Sequence, residues 1–172
     1  MRRITTAAAL LLSMLAAGCA HAPSPSAVAP AVKLMQPLPG LYTAGQPAAA
    51  DWAAIRALGV RTVINLRAPE EEAGRDEATE VRAAGMRYLD IPVADAAAIN
   101  VDNARLLHAA LAPGHGGGVL VHCASGNRAG ALLALEQADF DGLAPQAALE
   151  LGRRAGVTKM EPVLQRALGI AP

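Results

Sequence analysis

Residues 118–130 read GVLVHCASGNRAG. The first five residues form an apolar, β-branched run that is typical of a buried strand, and the Ala/Leu-rich segment after Arg128 predicts a helix. A short polar loop joins the two, with Cys123 at its start and Arg128 at its end. Backbone N–H groups at a helix N-terminus, together with a guanidinium, favour binding of an anion. The stretch therefore predicts an anion cradle with a thiol at its base.

Strands and helices alternate on both sides of this loop. Apolar runs predict strands at residues 40–45, 60–66, 86–91 and 119–122. Helix start and stop signals predict helices at residues 48–58, 101–111, 128–137, 145–154 and 161–168, and one more that ends near residue 84. The alternation predicts an α/β fold with a mostly parallel sheet of four to five strands flanked by helices. Because ligands bind at the C-terminal strand ends of such sheets, residues 65–67, 92–95 and 123–128 should converge on one site.

Cys123 has the surroundings of an activated nucleophile. A thiol reacts mainly as the thiolate, which inward-pointing N–H groups, a helix N-terminus and a nearby arginine all stabilise. Ser125, Gly126 and Asn127 are small or turn-prone, and Gly126 tolerates a positive φ, so this segment can curl with its amides facing inward. The planar fork of Arg128 suits a tetrahedral oxyanion. Attack of the thiolate on such a substrate would give a covalent cysteinyl intermediate.

Several short motifs, taken in order, resemble the cysteine-dependent phosphatases. The His-Cys pair, the polar loop and Arg128 resemble their signature, and YLDIPVAD at residues 88–95 is similar to a dual-specificity phosphatase segment that ends in a catalytic Asp. GQP at residues 45–47, VINLR at residues 63–67 and the Cys-x4-Arg loop are similar to the bacterial phosphatase-like domain of the β-lactamase-hydrolase-like protein family. The resemblance spans about residues 38–168.

The resemblance implies a role for each residue of the site. Cys123 would be the nucleophile, Arg128 would bind the phosphoryl group, and Asp95 would protonate the leaving oxygen, although an Asp here also suits a plain loop N-cap. The substrate would contact five residues around the loop: Ala124, Ser125, Gly126, Asn127 and Ala129. Supporting roles fall to His122, Asn65 and Arg67, the last two of which could equally be solvated. The implied partner is a small anionic or phosphorylated molecule, and no cofactor is implied.

Two departures from the phosphatase pattern keep other functions open. Four residues separate Cys123 from Arg128, one fewer than in tyrosine phosphatases, and rhodanese-like sulfurtransferases use this shorter spacing to cradle a persulfide. Ala129 stands where phosphatases carry Ser or Thr, whose hydroxyl helps the thiolate leave. We therefore expect weak activity on ordinary aryl phosphates. The alternatives are a rhodanese-like sulfurtransferase that carries a Cys123 persulfide and a non-enzymatic, anion-binding pseudo-phosphatase.

The N-terminal residues resemble an export signal. Arg2 and Arg3 precede a short apolar segment, and LAAGC at residues 15–19 is similar to a bacterial lipobox, so residues 1–19 predict a signal peptide with lipidation at Cys19. The Pro- and Ala-rich residues 20–37 predict a tether, and residues 38–172 predict the phosphatase-like domain. We expect an exported periplasmic lipoprotein that is anchored to the outer membrane. If Cys19 is not lipidated, we expect a soluble periplasmic protein.

Composition argues against two further classes of function. The formal net charge of the 172-residue chain is zero and aromatic residues make up 2 % of it, so we expect no nucleic-acid surface. The histidines at positions 21, 108 and 115 have no spacing typical of a metal-ligand set, so we expect no metal site.

Overall fold

The sheet of this protein has the cysteine loop (residues 123–128) at the C-terminal end of its central strand. The computed structural model describes residues 29–72, 74–112 and 117–171. The strands in these ranges are β1 (Leu34–Leu38), β2 (Leu41–Ala44), β3 (Val60–Asn65), β4 (Arg87–Asp90) and β5 (Gly118–His122), in the order β1-β2-β5-β3-β4. β1 is antiparallel to β2, and the remaining neighbours are parallel. The predicted α/β fold with a mostly parallel sheet is confirmed.

Six α-helices flank the sheet in the described ranges: α1 (Trp52–Ala57), α2 (Glu77–Ala83), α3 (Val101–Leu111), α4 (Asn127–Asp139), α5 (Pro145–Arg154) and α6 (Glu161–Ala167). The helix predicted at residues 48–58 starts as a 3-10 turn, Ala49–Asp51, because Asp51 accepts hydrogen bonds from upstream backbone amides. Within the described part of the chain, no helix has the length and apolar character needed to cross a bilayer.

Two apolar cores lie on opposite faces of the sheet. Helices α1 and α2 cover one face, where Trp52, Ile55 and Val81 are buried. Helices α3 to α6 cover the other, and α4 forms its centre because residues 129–136 are all buried. A helix that is enclosed on every side must be built from small and apolar residues, which explains its Ala/Leu content. Since α4 begins inside the cysteine loop, its packing fixes where the loop lies.

The ordered domain begins earlier than the sequence predicts. Residues 20–37 were expected to form a tether, but residues 34–37 belong to β1, so the predicted boundary at residue 38 is wrong. Leu34 packs against one core and Leu38 against the other. This burial outweighs the proline within the strand, which an edge position tolerates because one side of it forms no ladder. The predicted signal peptide and the tether up to residue 28 lie outside the described residues.

Candidate active site

The cysteine loop curls around a buried thiol. The Cys123 side chain follows β5 and is 1 % exposed. The backbone N–H of Gly126 donates a hydrogen bond to Cys123 Sγ at 3.1 Å. Gly126 has a φ of +87°, a conformation that favours glycine because a Cβ would be strained there. The predicted inward turn at Gly126 is therefore confirmed, and its N–H is placed to stabilise a thiolate.

Contacts from two directions hold the loop in this shape. On one side, the backbone at Gly45 forms a β-bridge with Ser125, and the backbone N–H of Gln46 donates to the Ala124 carbonyl at 3.2 Å. On the other side, Asn127 Oδ1 accepts hydrogen bonds from the Thr158 amide at 2.8 Å and from the Thr158 hydroxyl at 3.0 Å. The side chain of Asn127 thus ties the loop to the segment between α5 and α6.

The Arg128 guanidinium forms a forked ion pair with Glu71. Nη1 and Nη2 each donate to one carboxylate oxygen at 2.6 Å, and Nη1 also donates to the Val93 carbonyl at 2.8 Å. The hydrogen bonds from Arg128 hold the pKa of Glu71 at about 2. Glu71 raises the pKa of Arg128, and the nearby Cys123 adds to this effect. Because a guanidinium has five N–H donors, these contacts leave donors for an anion bound over Cys123.

Replacing Glu71 by Gln should make the stability of the protein less sensitive to acid. The folded-state pKa of Glu71 is about 2, against about 4.3 in an unfolded chain. The ion pair therefore stabilises the fold above about pH 4, and this contribution is lost as the pH falls towards about 2. Denaturation midpoints measured across this range should fall less steeply for Glu71→Gln than for the parent. Glu70→Gln, on the same turn, is the matched control, and equal slopes in all three proteins would contradict the pairing.

Asp95 faces the cysteine loop and also caps a helical turn. Its Oδ1 accepts hydrogen bonds from two backbone amides of the turn Ala96–Ala98, at 2.8 Å and 3.2 Å. This is the N-cap role that the sequence left open. The same residue lines an open cavity of about 300 Å³ together with Ser125, Asn127 and Arg128. The structure thus brings the candidate acid to the mouth of the loop.

His122 lies on the opposite face of the sheet from Cys123. Its ring is fully buried, meets the Trp52 ring edge-on at a centroid distance of 6.3 Å, and has Nε2 2.7 Å from Glu77 Oε1. The two atoms are within ion-pair distance, although their alignment does not meet the geometry of a hydrogen bond. Burial disfavours ionisation of Glu77, but His122, Gln46 and Arg75 outweigh it and lower the pKa of Glu77.

Asn65 and Arg67 belong to the same polar network behind the loop. The buried Asn65 donates to the Tyr88 hydroxyl at 2.8 Å and accepts from the Arg67 amide at 2.9 Å. The Arg67 side chain donates to Gln46 Oε1 at 2.7 Å, and Gln46 Nε2 donates to Glu77 at 2.5 Å. Since the backbone amide of Gln46 holds the loop, these residues act on the loop indirectly and their predicted supporting role is consistent with their positions.

One predicted substrate contact falls in the core instead. Ala129 is fully buried on the inner side of α4, so its side chain packs in the core and does not line the cavity. Ala124 and Ser125 are exposed above the thiol, as expected for residues that meet a ligand. The predicted lipidation site, Cys19, lies outside the described residues.

Several residues of the site were not indicated by the sequence. The sequence does not indicate Glu71 as a partner of Arg128, because their contact joins residues that are 57 positions apart. Glu77 and Gln46 gave no signal beyond the GQP motif. Lys159 lines the same cavity as Asp95 and places a second cation at its mouth. Only the folded chain shows that these side chains converge.

A mostly parallel sheet with a thiol and an arginine in one loop, at the C-terminal end of its central strand, is the arrangement of the cysteine-phosphatase fold. The chain belongs to the family described as the phosphatase-like domain of β-lactamase hydrolase-like protein, whose model matches residues 35–140. The match includes the cysteine loop, Asp95 and Glu71, and it confirms the resemblance seen in the sequence. A search of the curated proteins found no match.

Solved structures of similar proteins agree with this assignment. A DUF442 phosphatase of Shewanella putrefaciens CN-32 is 28 % identical, with 79 % of this chain and 91 % of that chain covered and a TM-score of 0.60. TpbA of P. aeruginosa is 27 % identical, with 85 % and 89 % covered and a TM-score of 0.60. A Cys-to-Ser variant of TpbA, with 87 % and 100 % covered and a TM-score of 0.54, was solved in complex with phosphotyrosine at the same 27 % identity.

Proposed function

We propose that this chain is a phosphomonoester hydrolase in which Cys123 is the nucleophile. The observation that carries the proposal is the arrangement of donors around one thiol: the Gly126 N–H is directed at Sγ, and the Arg128 guanidinium lines the cavity at the same loop. These donors favour the binding of a tetrahedral oxyanion, and the thiolate beneath them is placed to attack it. Membership of a phosphatase-like family supports phosphate as that anion.

The proposed reaction has two steps with one covalent intermediate. The Cys123 thiolate attacks phosphorus, an S–P bond forms, and the P–O bond to the leaving group breaks with its electron pair on oxygen. Protonated Asp95 transfers its proton to that oxygen. The Asp95 carboxylate then takes a proton from a water molecule, which attacks phosphorus, so that the S–P bond breaks and phosphate leaves. Arg128 offsets the charge on the phosphoryl oxygens in both steps.

The substrate that we propose is a phosphorylated small molecule or side chain. The phosphotyrosine complex of the TpbA variant supports this class, and the open cavity of about 300 Å³ above the loop leaves room for the group that carries the phosphate. Ala129 supplies no hydroxyl to help the thiolate leave, and the loop has one amide fewer than that of tyrosine phosphatases. We therefore expect breakdown of the intermediate to be slow and turnover on ordinary aryl phosphates to be low.

The test compares two reactions of the full chain. Phosphate release from an aryl phosphate and sulfur transfer from thiosulfate to cyanide are measured side by side, with Cys123→Ser as the control for both. The proposal predicts slow phosphate release that requires Cys123. Formation of thiocyanate without phosphate release would establish the sulfurtransferase instead, and anion binding with neither reaction would establish the pseudo-phosphatase.

Asp95→Asn should slow the hydrolysis of substrates with poor leaving groups most strongly. A general acid contributes about 10²–10⁴-fold when the leaving oxygen needs a proton, and little when the leaving group is stable as an anion. We expect a loss of about 10²-fold for an alkyl phosphate and a much smaller loss for p-nitrophenyl phosphate. Because Asn can still cap the turn Ala96–Ala98, the variant should keep its fold. An equal loss on both substrates would show that Asp95 is a structural cap only.

We further propose that the chain is exported and carries a lipid on Cys19. The lipobox-like LAAGC at residues 15–19 supports this. In bacterial cells the parent protein should fractionate with membranes, and Cys19→Ser should remain unlipidated and lose that association. Cys123→Ser serves as the matched control for loss of a thiol. Recovery of the parent in the soluble periplasmic fraction would instead show that the leader is cleaved without lipidation.

A further inference from the structure

A second cluster of polar side chains lies at the opposite end of the sheet from the cysteine loop. It consists of His108 on α3, Glu136 on α4 and Asp141 just beyond α4, which each offer one ligand atom within 4.8 Å of the others. The three residues border a cavity of about 450 Å³ that is also lined by Leu41 and Val119, near the starts of β2 and β5. Because Cys123 follows the other end of β5, the two sites are separated by the length of the strand.

Glu136 brings a buried carboxyl group to this cluster. The residue is 1 % exposed, and its carboxylate meets His108 Nδ1 at 2.8 Å and Gln137 Nε2 at 2.9 Å. Gln137 Nε2 also donates to the Asp141 carboxylate, so one amide orients both acidic groups. Burying a carboxylate is costly unless a positive charge compensates it. His108 and Gln137 each contact the Glu136 side chain, and a bound cation would add a positive charge to this cluster.

The His108 ring is held in a suitable orientation. It stacks on the Phe140 ring with a centroid distance of 5.0 Å and an interplanar angle of 21°, which leaves Nδ1 directed at Glu136. One imidazole nitrogen with two carboxylate oxygens suits Zn²⁺ and related transition metals better than Mg²⁺ or Ca²⁺, which prefer oxygen ligands alone. In many zinc sites three protein ligands leave a fourth position for water, and here the cavity adjoins that position.

Asp141 has the freedom that the third ligand needs. Ligands of a tetrahedral zinc ion lie about 2.0–2.1 Å from the metal and therefore about 3.3 Å from one another. The His108 and Glu136 atoms are 2.8 Å apart, so they need to separate by only about 0.5 Å to reach this spacing. Asp141 lies two residues beyond Asp139, the last residue of α4, and directly precedes Gly142, which has a φ of +71°. Its side chain can therefore approach without disturbing the helix.

We propose that His108, Glu136 and Asp141 form a binding site for a divalent transition metal of the Zn²⁺ type. A bound ion would neutralise the carboxylates that ligate it and would join α3 to the end of α4. Residue spacing does not indicate this site, since His108 and Glu136 are 28 residues apart and the histidines alone form no ligand set. The proposal does not depend on the chemistry of Cys123.

The test measures Zn²⁺ binding to the untagged full chain in metal-free buffer by calorimetry and by thermal unfolding. Calorimetry should show one high-affinity Zn²⁺ site per chain. Saturating Zn²⁺ should raise Tm by about 5 °C or more. His108→Ala and Asp141→Asn should each lose this site, with a drop in affinity of at least tenfold. Gln137→Leu should weaken binding by about tenfold, since the Gln137 amide orients both carboxylates without ligating the metal.

Cys123→Ser is the matched control, because a thiolate is itself a strong zinc ligand and could compete with the proposed site. The proposal predicts that Cys123→Ser keeps the stabilising site and that Mg²⁺ does not replace Zn²⁺. It also predicts that His108→Ala and Asp141→Asn retain the phosphatase rate of the parent. Zinc binding that survives in His108→Ala, or that disappears in Cys123→Ser, would overturn the proposal, as would the absence of any Zn²⁺-dependent rise in Tm.

Discussion

Cys123→Ser should abolish phosphate release, with kcat lowered by at least about 10⁴-fold. A serine hydroxyl at this position is a far weaker nucleophile than a thiolate, and the Gly126 N–H that is directed at Sγ stabilises an anion that serine does not form at neutral pH. The fold should survive, since the substitution removes little volume from the buried site. Initial rates with an aryl phosphate, at matched protein concentration, give the measurement.

The control for this prediction is a substitution on the surface, away from the loop. Leu106→Ala removes an exposed side chain from α3 and should leave the rate unchanged. The anion affinity of Cys123→Ser provides a second check, because the cradle of amides and Arg128 remains in place. If Cys123→Ser keeps more than a small fraction of the parent rate while its Tm is unchanged, the thiol is not the nucleophile.

Arg128→Lys should lower kcat/KM by about 10²–10³-fold even though the positive charge is kept. Lysine has no planar fork, so it loses the two-point contact that Arg128 makes with Glu71 and the geometry that matches phosphoryl oxygens. The ammonium group of lysine also has no fixed direction relative to Cys123. Steady-state kinetics measure kcat/KM, which should fall. Inhibition by inorganic phosphate measures the affinity for the anion, and the inhibition constant should rise.

Arg105→Lys is the matched control, since Arg105 forms an exposed pair with Asp102 on α3 and such pairs contribute little. Its activity and Tm should equal those of the parent. An Arg128→Lys protein with unchanged kcat/KM would mean that charge alone binds the anion. A fall in Tm large enough to unfold the variant at the assay temperature is checked by circular dichroism before kinetics are compared.

Much of the fold could be predicted from the sequence because its strongest signals are local. The apolar run of β3 and the run that ends in His122 identify central strands by composition alone. β1 was missed because Pro37 and its Pro-rich surroundings are typical of a tether, and only packing against both cores reveals a strand. At this edge strand, the burial of Leu34 and Leu38 outweighs the low strand propensity of the Pro-containing segment.

The candidate site was predictable where the signal was a contiguous motif. The order of Cys123, Gly126 and Arg128 specifies a curled loop, and the structure has that turn with Gly126 in the left-handed region. Glu71 was not predictable as a partner of Arg128, because the pairing depends on how the segment after β3 folds back over the loop. The position of His122 on the opposite face of the sheet from Cys123 follows from the alternation of side chains along β5, which directs neighbouring side chains to opposite faces.

The most direct test of the central claim is the mass of the Cys123 peptide after rapid acid quench of the reaction with an aryl phosphate. Because Ala129 supplies no hydroxyl for the second step, the covalent intermediate should accumulate. The account predicts one added phosphoryl group on this peptide in the parent and none in Cys123→Ser. A Cys123 peptide that stays unmodified during phosphate release, or that gains only sulfur from thiosulfate, would contradict it.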